Sequence, residues 1–269
     1  MVVGKRIILA INMKDGQKLW TKDELMLAIN LYCKLPFGKM HKGNPAIIGL
    51  AKMIARTPSS VAYKLVNFAS LDPSLQARGI KGASNTSKLD KQIWDEFYHN
   101  WDAALIESEQ LLANANHVTV EALNQIDVNE ILQQGLDKER LVKTRVNQSI
   151  FRKMVLAAYN NTCCITGIDN PELLNASHIV PWSKDEKNRL NPMNGLCLNA
   201  LHDRAFDKYL LTINAEDYTI QVSSKLRAKE TLAMMDLNFF ALVGKEIRLP
   251  DKFLPDRELL KRHNEGFVV

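Results

Sequence analysis

Between Cys163 and Asn214, apolar runs and polar interruptions follow an order that restricts the fold. "LLNASHIV" at 173–180 predicts a short β-strand, and "PWSKDEKNRLNPM" at 181–193, rich in proline, asparagine and charge, predicts a loop. "NGLCLN" at 194–199 predicts a second strand, and "ALHDRAFDKYL" at 200–210 predicts the start of a helix. The segment is therefore predicted to fold as strand, loop, strand and helix.

The polar residues of this segment suit hydrolytic chemistry. His178 stands at the end of the first predicted strand, and an imidazole with an ordinary pKa near 6.5 can accept a proton at neutral pH. Asp203 and Asp207 are four positions apart on the predicted helix, so their carboxylates share one face of it. A histidine on an apolar strand is by itself more often structural than a metal ligand or a general base, and these residues alone leave the three alternatives open.

In combination, these residues resemble the ββα-metal fold of the HNH endonucleases, most closely the restriction-type branch. The shared pattern is C.ITG, L.ASHI.PW, R.NP.NGL.L and HD.AFD, and it covers about residues 146–222. The resemblance implies that His178 is the general base of phosphodiester hydrolysis and that Asn194 braces the loop and orients this base. It implies metal-binding positions nine and thirteen residues after Asn194, which are Asp203 and Asp207.

A second alignment of the motif remains open. If the pattern is shifted by one residue, His202 becomes its final histidine and a candidate catalytic residue or metal ligand in place of Asp203.

The resemblance implies a Mg²⁺ ion, or another divalent cation, because this ion takes oxygen ligands and needs only one or two carboxylates. Many family members carry an aspartate, glutamate or histidine ligand just before the base, whereas this chain has Ser177. The carboxylates of Asp203 and Asp207 are therefore more important for holding the metal ion.

We expect no structural zinc. Many HNH proteins hold zinc with two Cys-x-x-Cys pairs, but here Cys164 is followed by Gly167 and Cys197 by Ala200 at the partner positions. Each pair keeps one cysteine, so four thiolate ligands are missing. The cysteines of this region are then predicted to be small core residues.

The charge of the chain is concentrated at its N-terminal end. Residues 1–91 carry 15 basic and 5 acidic residues, a net charge of +10, whereas residues 92–150 carry −6 and residues 151–269 carry +1. A phosphate-facing surface explains this distribution. If charge is the only criterion, a solvated basic face is an equally good explanation.

Three short helices are predicted in this basic region, starting with a Thr21 cap, then at 46–55, then after Thr57-Pro58. They resemble a helix-turn-helix or Myb-like unit, in which the second helix of the pair reads DNA. A plain three-helix bundle is the alternative. The candidate DNA contacts lie on that helix, in the basic loop at 78–92 and in the loop between the strands: Lys64, Asn67, Arg78, Lys81 and Arg189.

The predicted class is α+β, with an N-terminal helical, helix-turn-helix-like domain followed by a ββα-metal HNH nuclease domain. We place the helical DNA-binding domain at residues 1–114, a linker or linking helix at 115–145, and the nuclease domain with a C-terminal extension at 146–269. His263 on the predicted last helix is expected at the surface, without a role.

The predicted function is a metal-dependent double-stranded DNA endonuclease, and the family chemistry implies 5′-phosphate and 3′-hydroxyl ends. The alternatives are a non-catalytic DNA-binding regulator with a decayed nuclease fold, which Ser177 favours, and a nuclease toxin. We expect a cytoplasmic protein without a membrane partner, because no apolar run approaches a span of roughly 20 residues and "RIILAIN" at 6–12 is too short for a signal core. A homodimer is a further hypothesis, since one site per chain cuts one strand.

Overall fold

The structure is a computed structural model that describes residues 18–80, 85–129, 138–227 and 233–267 of the 269-residue chain. The helices are α1 (Lys22–Lys34), α2 (Pro45–Met53), α3 (Pro58–Ala69), α4 (Pro73–Ala77), α5 (Lys88–His99), α6 (Trp101–Ala115), α7 (Val120–Leu123), α8 (Lys138–Ala158), α9 (Ala200–Asp207), α10 (Ala233–Asn238) and α11 (Arg257–Asn264). The strands are β1 (Leu174–His178), β2 (Gly195–Asn199), β3 (Leu211–Ile213) and β4 (Ile220–Val222). This is the predicted α+β class, with the helices mostly N-terminal and the strands in the second half. No helix of the described ranges is long and apolar enough to cross a membrane.

The predicted order of strand, loop, strand and helix is confirmed between β1 and α9. β1 pairs with β2 in antiparallel register, with Leu174 opposite Asn199 and His178 opposite Gly195. α9 follows β2 directly and packs on both strands, while α8 packs on them as well. The second hairpin, β3–β4, forms a separate two-stranded sheet.

Gly195 allows α8 and β2 to approach closely. A Cβ atom at this position would collide with Val155 Cγ2, and it would lie 3.0 Å from Phe151 Cζ and 3.2 Å from the Pro192 carbonyl oxygen. The absent side chain therefore lets the ring of Phe151 reach the end of the sheet where His178 lies.

The predicted helix starts in the N-terminal region are close to the observed ones. Thr21 caps α1 through a capping box with Glu24. A threonine followed three residues later by a glutamate is the sequence pattern of this motif. Thr57 caps α3, and Pro58 occupies its first turn. α2 begins one residue earlier than predicted, at Pro45, because the Asn44 side chain accepts the first free N–H group. The three helices are compatible with a helix-turn-helix arrangement.

α5 and α6 are two separate helices. Asn100, with φ −148° and ψ 62°, lies between them. Their aromatic residues Trp94, Phe97 and Trp101 are all buried. Trp101 also contacts Phe253 edge-on, with ring centroids 5.4 Å apart. The N-terminal helices α1–α6 and the C-terminal segment therefore share one core.

A buried lysine strengthens this connection. Lys252 is fully buried and donates to the backbone carbonyls of Tyr32, Cys33 (3.2 Å) and Leu35 (2.9 Å) at the C-terminal end of α1. A cation is favourable there because the last carbonyls of a helix are unpaired and carry partial negative charge. α8 also starts inside the segment predicted as a linker. The proposed domain boundaries remain a prediction.

Two of the predicted DNA contacts are wrong in this structure. Lys64 is 7% exposed and Asn67 is 2% exposed. The Lys64 ammonium lies 2.8 and 2.9 Å from the two carboxylate oxygens of Asp90 on α5, so it neutralises a buried charge and cannot reach a phosphate. Arg78 is exposed and donates to the Asp251 carbonyl at 2.9 Å, while Lys81 lies outside the described residues.

The burial of Lys64 predicts a structural effect of its removal. Lys64→Ala leaves the buried Asp90 carboxylate without its partner, which should lower the free energy of unfolding by about 3–5 kcal/mol. Urea unfolding measures this change, with Lys52→Ala on the exposed face of α2 as the control. Unchanged stability together with weakened DNA binding would contradict the prediction.

His263 is buried, contrary to the expectation that it lies at the surface. Its Nδ1 atom lies 2.7 Å from the Thr212 hydroxyl oxygen, and Nε2 donates to the Phe206 carbonyl at 3.1 Å. The ring stacks on Phe206 with centroids 3.7 Å apart. Burial lowers the pKa of His263 to about 4, although the Phe206 carbonyl opposes this shift. α11 is thereby joined to α9 and β3.

Protonation of His263 should destabilise the fold in mild acid. The folded pKa lies below the unfolded value near 6.5, so the contribution is complete above pH 6.5 and declines as the pH falls towards 4. The full effect is up to about 3 kcal/mol. Urea unfolding at about pH 7 and about pH 5 should therefore show a smaller pH-dependent loss for His263→Gln than for wild type. The exposed His41→Gln should keep the wild-type dependence, and equal losses in both variants would refute this explanation.

Candidate functional site

A pocket of about 560 Å³ lies between α8, β1 and α9. Three of the predicted site residues, His178, Asp203 and Asp207, line it together, while Asn194 and His202 do not. The full lining comprises Gln148, Phe151, Arg152, Asn175, Ala176, Ser177, His178, Pro181, Trp182, Asp203 and Asp207.

His178 is held in one orientation by its neighbours. Its Nε2 atom lies 3.0 Å from the Arg189 carbonyl oxygen, and a carbonyl can only accept, so we assign the ring proton to Nε2. In the neutral ring Nδ1 is then the acceptor. Phe151 stacks on the imidazole with centroids 3.7 Å apart and an interplanar angle of 11°, and Trp182 contacts it edge-on at 5.6 Å.

The electrostatic surroundings keep His178 neutral. Burial lowers the pKa of this histidine below its ordinary value of 6.5, and the hydrogen bond to the Arg189 carbonyl opposes the shift without cancelling it. At neutral pH the ring is therefore mostly unprotonated, the state that a general base requires.

Asn194 connects the two ends of the loop between β1 and β2. Its side-chain oxygen accepts from the Val180 N–H at 2.8 Å, and its side-chain nitrogen donates to the carbonyls of Val180 (3.1 Å) and Asn188 (3.0 Å). The Asn194 carbonyl also accepts from Ile179 N–H at 2.9 Å. Asn194 is fully buried, so its contacts hold the loop that carries the Arg189 carbonyl and leave no amide hydrogen for a substrate.

The two carboxylates of α9 face the same space. Asp203 Oδ2 accepts from the Asn175 side chain at 2.7 Å. Burial raises the pKa of Asp207, and the negative charge of Asp203 raises it further. Two neighbouring anions that repel each other are stabilised by a cation between or beside them.

The Ser177 hydroxyl is a further candidate oxygen ligand in the same pocket. Side chains alternate along a strand, so Ser177 shares a face with Asn175, which contacts α9. The Ser177 hydroxyl oxygen is buried and has no hydrogen-bond partner in the described structure. An unpartnered oxygen in a pocket that two carboxylates also line suits a hard divalent cation. The described residues contain no group of three His, Cys, Asp or Glu ligands, so neutral oxygens and water would complete its coordination.

The structure separates His202 from this pocket. His202 is fully buried, with Nδ1 3.1 Å from the Asn199 side-chain nitrogen and Nε2 2.7 Å from the Asn238 carbonyl oxygen. Both ring nitrogens are therefore occupied. Neighbouring residues on a helix point about 100° apart, so His202 faces the core when Asp203 faces the pocket. The alternative assignment of His202 as a ligand or catalytic residue is not supported by this geometry.

The cysteines of this region are buried and free, as predicted for core residues. Cys163 Sγ accepts from the Asn199 N–H at 3.3 Å and from the Thr166 N–H at 3.5 Å. Burial raises the pKa of Cys163, but the neighbouring His202 ring and the hydrogen bond from Thr166 N–H outweigh it and lower the pKa to about 6. The thiol thus belongs to the junction of β2 and α9.

Sequence reasoning missed Gln148, Arg152 and Asn175. Gln148 and Arg152 are four residues apart on α8, so they share a face, and both line the pocket. Arg152 donates to the carbonyls of Leu174 (2.5 Å) and Pro171 (2.8 Å). The stacking of Phe151 on His178 shows which face of α8 lies beside the sheet.

Arg189 is partly exposed in the loop. Its Nε atom donates to the Trp182 carbonyl at 3.0 Å, and its guanidinium forms a 3.2 Å ion pair with Glu186. The guanidinium also lies over the Trp182 ring, 5.2 Å from its centroid. These contacts fix the loop and leave a DNA-binding role for Arg189 as a prediction.

Comparison with known families agrees with this geometry. Residues 163–214 match the family model described as HNH endonuclease, which confirms the resemblance seen in the sequence. No curated protein matches the chain. The match supports a nuclease function in general and implies a nucleic acid substrate. HNH nucleases generally use a divalent metal ion.

Proposed function

We propose that this protein is a metal-dependent, restriction-type DNA endonuclease in which His178 is the general base. One observation carries the proposal: His178, with Nε2 tied to the Arg189 carbonyl, shares a pocket with Asp203 and Asp207. A fixed histidine and two carboxylates in one pocket suit metal-assisted hydrolysis of a phosphodiester.

The proposed step is attack of water on phosphorus. His178 Nδ1 accepts a proton from the water, whose oxygen bonds to phosphorus while the bond to the 3′ oxygen breaks. This cleavage leaves the 5′-phosphate and 3′-hydroxyl ends of the family chemistry, because the leaving 3′ oxygen takes a proton from solvent water. Negative charge grows on the phosphate oxygens, and Arg152 in the same pocket supplies a positive charge near them.

Asp203 and Asp207 would hold the metal ion, with the Ser177 hydroxyl as a neutral oxygen near them. When bound, a divalent cation supplies positive charge to the phosphate and to the leaving oxygen. Mg²⁺ is the proposed ion, because the available donors are oxygens and Mg²⁺ retains several waters.

Double-stranded DNA is the proposed substrate. Of the predicted contacts, Arg78 is exposed and Arg189 is partly exposed, so both can still reach a phosphate. Lys64 and Asn67 are buried, so we no longer assign them to the DNA interface. A homodimer remains a hypothesis, since two sites would cut both strands together.

Loss of His178 should abolish most of the cleavage. His178→Ala removes the proton acceptor, and the single-turnover rate should fall about 10²–10⁴-fold. The assay compares unmodified and cytosine-modified plasmid, with Mg²⁺ or with EDTA. His41→Ala, an exposed histidine before α2, is the control. Metal-dependent cutting that persists in His178→Ala would overturn the assignment of the base.

Removal of either helix carboxylate should weaken metal binding. Asp203→Asn and Asp207→Asn should each lower the affinity for Mg²⁺ about 10-fold or more, as measured by calorimetry. Asp217→Asn, in the exposed turn between β3 and β4, should bind like wild type. Saturable binding unaffected by both α9 variants would place the ion elsewhere.

A non-catalytic DNA-binding regulator is the second candidate. Ser177 at the usual ligand position and the engagement of Asp203 by Asn175 favour it. A regulator should bind both plasmids, show no saturable Mg²⁺ binding and cut neither plasmid with any divalent metal. That combination of results would replace the nuclease proposal.

A further inference from the structure

A second pocket, of about 430 Å³, adjoins the candidate active site at Arg152, which lines both of them. It lies where the chain leaving α1 and the chain leaving α7 approach α8. We call it the basic pocket, because its described lining includes three basic residues and no acidic one: Lys34, Arg152 and Lys153. The proposed hydrolysis leaves this pocket without a role.

Neighbouring faces of α8 line the two pockets. Gln148 and Arg152, four residues apart, line the candidate active site. Ser149 and Lys153, also four residues apart, line the basic pocket. Successive residues of a helix point about 100° apart, so the two pockets lie side by side around α8. A ligand that fills the first pocket and extends around the helix therefore reaches the second.

The positive charge of Lys153 has no counter-ion. Its ammonium group donates to the neutral side-chain oxygen of Asn124 at 2.9 Å, although an ammonium has three hydrogens to donate. Arg152 donates to two backbone carbonyls, which are also neutral. Within the described ranges, neither cation forms an ion pair with a carboxylate. A partly buried charge without a partner is costly, so a bound anion would stabilise this arrangement.

One buried carboxylate holds the wall of the basic pocket from behind. Glu109 is 1% exposed and does not line this pocket. It accepts from the Lys34 ammonium and, at 3.0 Å, from the side-chain nitrogen of Asn124, whose oxygen is the acceptor for Lys153. Burial lowers the pKa of Lys153, and the charge of Lys34 lowers it further, while Glu109 opposes this shift. The two lysines therefore repel each other, and an anion between or beside them relieves the repulsion.

We propose that the basic pocket binds a backbone phosphate of the DNA strand next to the phosphate that is cleaved. This inference rests on the proposed nuclease function. The ligand is part of a strand because Arg152 joins the pocket to the active site, where the substrate is itself a chain of phosphates. Lys153 is therefore a substrate-binding residue that takes no part in the chemical step.

The test removes the charge of Lys153 and retains a hydrogen-bond donor. Lys153→Gln keeps N–H groups that can donate to Asn124, whereas Lys153→Arg keeps the charge as well. Lys143→Ala is the matched control, because Lys143 is an exposed lysine of α8 outside the basic pocket. Binding of a short DNA duplex to the full-length protein is measured in EDTA at several salt concentrations. Single-turnover cleavage is measured with Mg²⁺.

Lys153→Gln should bind the duplex about 10-fold more weakly at low salt, because one charged hydrogen bond to a phosphate is lost. The slope of log affinity against log salt should become shallower by about 1, since one phosphate fewer is neutralised. KM should rise about 10-fold while the rate at saturating DNA changes less than about twofold, as for a contact made equally in the ground and transition states. Lys153→Arg and Lys143→Ala should keep the wild-type slope.

An unchanged salt slope in Lys153→Gln overturns the inference, and so does a lower saturating rate at an unchanged KM. Calorimetry with inorganic phosphate examines the other source of the same anion. Phosphate binding that Lys153→Gln abolishes, together with an unchanged salt slope for DNA, would assign the pocket to a free anion and overturn the inference. Failure of the proposed function looks different: wild type then cuts no DNA with any divalent metal, while the salt slope still falls in Lys153→Gln.

Discussion

The site depends on the side chain of Asn194, because that amide fixes both ends of the loop between β1 and β2. Its hydrogen bonds to Val180 and Asn188 close the loop, and the closed loop presents the Arg189 carbonyl to His178. A buried amide with every hydrogen bond made is stable only in one arrangement, since any unmade bond costs about 1–3 kcal/mol. The orientation of His178 thus follows from the buried Asn194 amide, which does not line the pocket.

Local sequence patterns predicted the part of the site that is built from adjacent elements. The strand, loop, strand and helix order places His178 at the end of β1, and the spacing of four places Asp203 and Asp207 on one face of α9. These relations follow from the periods of strands and helices alone. The same periodicity separates His202 from Asp203, a choice that the motif left open.

Residues whose partners lie far along the chain could not be placed this way. Lys64 was predicted to contact DNA from the polar face of its helix, but Asp90, 26 positions later, provides a buried counter-charge. His263 was misplaced for the same reason, since its partners lie on α9 and β3. Arg152 enters the pocket only through the packing of α8 on the sheet.

The position of Lys252 at the end of α1 has a consequence for biosynthesis. The carbonyls that it satisfies are exposed on the nascent chain more than 200 residues before this lysine is made. Water must solvate them until Lys252 has been synthesised, so the end of α1 acquires its final hydrogen bonds late in the synthesis of the described chain. The packing of α1 is therefore completed by a segment that follows β4 in the sequence.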